Sequence, residues 1–236
     1  MTMQLTDRKS SLTYSIFGTL NRIALRLRFK QLAVAGRENI PAQGPFLMVA
    51  NHISRWDGLL LYGLIDRPSN FMVSPNELRG LQGHVLRSMG AFPADPRTDL
   101  VNFVLRQADG GQGTVVFPEG DVFRDGVTHP FKSGASRIAL CLARAGVPVS
   151  VIPVALNYPE DYPELAQVQV GSPIKLDPYI NAYDDERAKA VCSLTTRLYR
   201  EVCMLRGDLG CTADLQAMYA AKPTRSWVPQ QADSAL

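Results

Sequence analysis

The segment Phe46-Leu47-Met48-Val49-Ala50-Asn51-His52-Ile53-Ser54-Arg55-Trp56-Asp57 decides the architecture of this chain. Five consecutive apolar residues without polar alternation describe a short strand covered on both faces, and the run ends abruptly at Asn51-His52. Similar runs recur at residues 70–73, 114–117 and 149–156. Between them, residues 77–89, 100–108 and 135–145 carry helical patterns, the last with Ser133 placed to cap it and Gly146 to stop it. A longer helical stretch runs from Asp184 to Arg206 and meets Gly207. Strands alternating with helices predict a single α/β domain with a mixed, largely parallel sheet flanked by helices.

Upstream of this unit, residues 12–30 place Leu12, Ile16, Leu20, Ile23 and Leu27 at steps of three or four. Arg22, Arg26 and Lys30 form a second row beside them. The spacing predicts an amphipathic N-terminal helix, docked on the domain by one face or lying in a bilayer interface with its cations near lipid phosphates. The expected organisation is residues 1–30 as this helix, 31–210 as the domain, and 211–236 as a short helix and loose tail.

With 236 residues, 46% of them apolar and 20% charged, the chain is expected to form one globular domain. Its net charge of +3 conceals an asymmetry: up to Arg37 there are seven basic residues and only Asp7 is acidic. Such a local excess suits an anionic surface, membrane phospholipid or nucleic acid. Nucleic acid is set aside because the basic segment lacks interleaved surface aromatics and a known module pattern. No run of 18 apolar residues occurs, so no membrane span is expected, and the first ten residues do not resemble a secretory signal. Cys141, Cys192, Cys203 and Cys211 form no C-x-x-C pair and are expected to be free thiols of a reducing compartment. His84 and His129 stand isolated, so no metal site is expected, and neither a phosphate-binding loop nor a dinucleotide fingerprint is present.

Ligands of α/β sheets gather beyond the carboxyl ends of the strands. Two apolar runs end there in polar clusters: Asn51 to Asp57 after the first, and Pro118-Glu119-Gly120-Asp121, with Arg124 nearby, after the run at 114–117. In a continuous helix, residues five apart point about 140° away from each other. A His52–Asp57 contact therefore requires a turn, with His52 before a helix and Asp57 in its first turns. The carboxylate would then fix the imidazole tautomer and leave the second ring nitrogen as a base. Taken alone, a His and an Asp five apart are more often a polar residue satisfied at a strand end and a charge at the helix dipole.

The motifs Asn51-His52-x4-Asp57, Gly90-Ala91-Phe92-Pro93-Ala94-Asp95-Pro96-Arg97, Phe117-Pro118-Glu119-Gly120 and Val151-Ile152-Pro153-Val154 occur in that order, preceded by Val34-Ala35-Gly36-Arg37-Glu38-Asn39-Ile40-Pro41. Over residues 30–175 the chain resembles the glycerolipid acyltransferase family, which includes bacterial 1-acylglycerol-3-phosphate acyltransferases. The resemblance implies His52 as general base and Asp57 as its orienting carboxylate. It implies Arg97 and Glu119 as binding residues for a glycerol-phosphate acceptor, with Gly120 permitting close backbone approach and Lys132 adding positive charge. Pro153 is expected to shape the acyl pocket.

The implied reaction is direct O-acyl transfer from acyl-CoA or acyl carrier protein to a lipid hydroxyl, first of all 1-acylglycerol 3-phosphate, giving phosphatidic acid. No cofactor besides the acyl donor is expected, and the site would be peripheral to a membrane at its cytoplasmic face. Pro96 between Asp95 and Arg97, and Asp121 in place of a common threonine, depart from the family pattern. They leave open another lysophospholipid or a non-phosphorylated lipid alcohol as acceptor. A non-catalytic lipid-binding module is the alternative from a different functional class.

Overall fold

The computed structural model describes residues 3–161 and 163–207. Seven strands, β1 (Gln31–Ala35), β2 (Phe46–Ala50), β3 (Ser69–Val73), β4 (Ala91–Pro93), β5 (Gly113–Val116), β6 (Ser150–Asn157) and β7 (Leu165–Val170), form one sheet in the order β1-β7-β6-β2-β5-β3-β4. All neighbours run parallel except β6 and β7, which are antiparallel. The expected mixed, largely parallel sheet is therefore present. Its helices are α1 (Ser11–Arg28), α2 (Asp57–Leu64), α3 (Gly80–Ser88), α4 (Leu100–Asp109), α5 (Gly134–Arg144), α6 (Asp177–Asn181) and α7 (Arg187–Arg206).

Strand β2 lies at the centre of the sheet, between β5 and β6, and all five of its side chains are buried. Its residues serve two cores in alternation, as a strand covered on both faces must. Leu47 and Val49 pack with α4, α5 and α7 residues such as Phe103, Ile138 and Leu194. Phe46, Met48 and Ala50 pack on the opposite face with Leu25 of α1 and Leu60 and Leu61 of α2. Helices α5 and α7 end where glycines take up left-handed backbone, Gly146 at φ 77° and Gly207 at φ 84°. Ser133 stands at the expected boundary of α5, but its side chain forms no capping bond.

The expected elements differ in their edges. Helix α7 begins at Arg187, three residues later than its pattern, and α3 begins at Gly80 after a 3₁₀ turn at Pro75–Leu78. Helix α1 ends at Arg28, which leaves Lys30 outside it. Strands β1, β4 and β7 were not expected. The segment 211–236, Cys211 included, lies outside the described residues. Cys141 and Cys192 are partly buried and Cys203 is buried, and all three lie in helices.

Helix α1 presents its faces unexpectedly. The stripe Leu12, Ile16, Leu20, Ile23 and Leu27 points outward, and Leu27 is 84% exposed. The domain takes the other face. Tyr14 packs its ring on Tyr62 at 4.7 Å, Tyr62 donates its hydroxyl to the Tyr14 carbonyl, and buried Asn21 donates to the Leu59 carbonyl. Among the described residues, no helix is long and apolar enough to cross a membrane.

Gly113 of β5 faces the Phe46 ring so closely that a Cβ there would fall 2.1 Å from the ring carbon. Gly113→Ala is expected to lower stability by about 1–3 kcal/mol, the range of an overpacked core. The urea midpoint of the purified variant measures it.

Candidate active site

Strands β2, β5 and β6 run parallel side by side, so their carboxyl ends open at one edge of the sheet. His52 follows β2, Glu119 follows β5 and Tyr158 follows β6. The chain turns immediately after His52, and Asp57 is the first residue of α2. This turn brings the two side chains together: His52 Nδ1 lies 2.8 Å from Asp57 Oδ2. The same oxygen accepts from the backbone N–H groups of Ile53 and Ser54, each at 2.8 Å. Asp57 is completely buried, and its other oxygen accepts the Tyr158 hydroxyl at 2.6 Å. With Nδ1 engaged, Nε2 of His52 has no hydrogen-bond partner among the described residues, and the imidazole stacks on Phe117 at 4.3 Å between centroids. This is the geometry the five-residue spacing demanded.

His52 opens onto a cavity of about 1570 Å³. Its lining includes the apolar side chains of Leu59, Phe71, Leu86, Met89 and Ile138 and the ring of Tyr62. It also includes four cations, Arg55, Arg124, Lys132 and Arg137. None of the four is in an ion pair among the described residues. Of the carboxylates on the same wall, Asp99 is taken up by Arg106 and Glu77 accepts from Gln82. Asp121 lines the wall too and accepts from the Val122 amide. Gly120 explains where Lys132 sits: at φ 76°, its missing Cβ would fall 2.1 Å from the lysine Nζ. The lysine thus occupies space that only glycine leaves open.

Not every residue implied by the resemblance reaches this cavity. Arg97 is absent from its wall; the guanidinium is 86% exposed and grips Asp95, with contacts of 2.7–3.1 Å. That pair holds the Asp95 carboxyl below the usual range, chiefly through the Arg97 hydrogen bonds. Pro153 lies inside β6 opposite Val49, with Gly171 packed against its ring, and does not line the cavity. Glu119 is 3% exposed and is not part of the wall; its Oε1 accepts the His52 backbone N–H at 2.9 Å. Its hydrogen bond goes to the His52 peptide rather than to Arg97. His129, isolated in the sequence, pairs with Asp125 at 2.7 Å and stacks on Phe123. Among the described residues, no group of three or more His, Cys, Asp or Glu side chains is placed to hold a metal ion.

Tyr158 went unnoticed in the sequence. Its signal was its place, just past the apolar run at 149–156, at a strand end where ligands collect. Arg55 and Arg137 were missed because an arginine in a turn or on a helix carries no signal of what it faces.

A buried carboxylate fixes an imidazole at the mouth of a parallel sheet, beside a cavity lined by apolar and cationic side chains, an arrangement of the kind that general-base chemistry on a hydroxyl requires. The model of the Acyltransferase family matches residues 31–157, more than half of the chain, and the chain belongs to that family. A chloroplastic 1-acyl-sn-glycerol-3-phosphate acyltransferase of Brassica napus, BAT2, is 31% identical over an alignment of 140 residues that covers 54% of this chain and 38% of that protein. The chain thus spans well under half the length of this curated relative. The crystal structure of the 1-acyl-sn-glycerophosphate acyltransferase PlsC of Thermotoga maritima superposes with a TM-score of 0.64 at 20% identity, covering 84% of this chain and 80% of that one. It shares the fold.

Burial pushes the Glu119 carboxyl up from 4.5 to about 7, opposed by the backbone amides of His52 and His129 and by charge on their rings. The folded state therefore holds this proton more tightly than the unfolded chain. That contribution is full below pH 4.5 and is lost as pH rises through about 7, roughly 3 kcal/mol at most. Glu119→Gln, which cannot ionise, is expected to flatten the fall in melting temperature between pH 5 and 8. Thermal melts across that range measure it.

Proposed function

We propose that the chain is an O-acyltransferase that moves a fatty acyl group from a thioester donor, acyl-CoA or acyl carrier protein, to 1-acylglycerol 3-phosphate. The observation that carries this reading is the His52–Asp57 pair facing a cavity lined by both apolar and cationic side chains. Nε2 takes the proton of the acceptor hydroxyl as its oxygen attacks the thioester carbonyl. The C–S bond then breaks and the proton passes from the imidazolium to the leaving sulfur. No covalent acyl-enzyme forms, because the hydroxyl itself is the nucleophile. General-base assistance of this kind contributes about 10²–10⁴ in rate.

The phosphate of the acceptor belongs with Arg124, Lys132, Arg137 and Arg55, the unpaired cations of the wall, in place of Arg97. Guanidinium groups suit this task because they offer planar sets of donors to phosphate oxygens. The acyl chains belong with the apolar side chains of the lining. Glu119 acts from beneath, holding the peptide of His52. Purified protein given both donors and a panel of acceptors is expected to acylate 1-acylglycerol 3-phosphate in preference to non-phosphorylated alcohols. Failure to acylate any acceptor would sink the enzyme reading and leave lipid binding alone. Arg124→Ala is expected to raise the KM for the phosphorylated acceptor about tenfold or more, with little effect on the KM for the donor.

The outward stripe of α1 is proposed to lie in the surface of the membrane that supplies the acceptor. Large apolar side chains exposed along one helix face, with Arg22 and Arg26 exposed on the same helix, match the chemistry of an anionic bilayer interface. Flotation with liposomes containing anionic lipid is expected to carry the wild type. Ile16→Asp/Leu20→Asp/Ile23→Asp, which leaves the buried face intact, is expected to stay behind. Equal flotation of both proteins would show that α1 is not the docking element.

A further inference from the structure

Asp57 is enclosed asymmetrically. Its Oδ2 collects three N–H donors, those of the His52 ring, Ile53 and Ser54, whereas among the described residues Oδ1 accepts only the Tyr158 phenol. Tyr158 lies 101 residues downstream and just beyond the segment matched by the family model. Asn51 brings it there. The Asn51 side chain clasps the Leu156 backbone, donating to its carbonyl at 3.0 Å and accepting its N–H at 2.7 Å. The β2–β6 pairing thus continues past the ladder and delivers Tyr158 beside Asp57. The ring is held by stacking on Phe29, and Phe29 meets Trp56 edge-on. Burial, then the charge of Asp57, raises the phenol's pKa, which keeps it a donor.

We propose that Tyr158 is a positioning residue for acyl transfer: its O–H fixes the rotation of the Asp57 carboxylate, so that Oδ2 stays on His52 Nδ1 and Nε2 stays turned to the acceptor hydroxyl. The torsion about a carboxylate is broad and twofold, so a single set of donors on one oxygen defines it poorly. A second donor on the opposite oxygen locks it, and without that donor a fully buried acceptor is left unpaired. The phenol gives up no proton. The acceptor's proton still goes to His52 Nε2 and from there to the leaving sulfur.

This inference rests on the general-base reading above. Tyr158→Phe keeps the ring stacked on Phe29 and removes only the hydroxyl. It is expected to lower kcat about tenfold, to leave the KM of donor and acceptor within about twofold, and to shift the melting temperature by only about 2–4 °C. Introduced into Asp57→Asn, the same change is expected to cost less than about twofold, because the two residues act as one unit. Wild-type kcat in Tyr158→Phe, or an equal tenfold loss in both backgrounds, would overturn the proposal while the acyltransferase reading stands. Absence of transfer by the wild type would remove that reading and this proposal with it.

Discussion

A carboxylate with no access to solvent supports the candidate site. Burying a charge is costly unless it is paired and hydrogen-bonded, and Asp57 meets the requirement with three N–H donors and one O–H. Each donor comes from a different consequence of the fold. The amides of Ile53 and Ser54 are available because the chain turns after β2 before entering α2. The imidazole is there because His52 terminates β2, and the phenol because β6 runs parallel to it. Shifting any of the three would leave the carboxylate under-satisfied, so the requirement to satisfy one buried charge also specifies where the imidazole stands.

The layer beneath is built from the same adjacency. Strand β5 ends beside β2, and the loop that follows holds the His52 backbone from two sides: Glu119 accepts its N–H and the Phe123 amide donates to its carbonyl. That loop then supplies Arg124 to the cavity wall and Gly120, whose missing side chain makes room for Lys132. The His52 backbone, Arg124 and the space for Lys132 are thus tied to one loop. Helix α1 divides its surface between two tasks. Its aromatic and amide side chains seat it on α2, and its aliphatic stripe remains outside.

Much of this was legible in the sequence, for identifiable reasons. The run Phe46–Ala50 announced a doubly covered strand because both neighbouring cores need its side chains, and the abrupt change at Asn51-His52 marked the functional edge. The five-residue interval to Asp57 demanded a turn, and the turn is there. Strands β1, β4 and β7 were hidden for different reasons. Most of β1 is exposed at the sheet's margin, β4 is only three residues long, and β7 alternates apolar and polar residues behind a loop. The helical period of residues 12–30 fixed a helix but not which face docks, because Tyr14 and Asn21 dock through hydrogen bonds that an apolar pattern does not record. Arg97 illustrates the opposite limit. Its motif position suggested a ligand, whereas Asp95, two residues away, offers a carboxylate that captures the guanidinium.

The central claim is that His52 removes the acceptor's proton. Its most direct test is the rate of acyl transfer by His52→Ala, compared with the wild type at saturating donor and acceptor, on protein whose melting curve is unchanged. A general base at this position predicts a fall in kcat of about 10²–10⁴. Transfer by His52→Ala at the wild-type rate would contradict it.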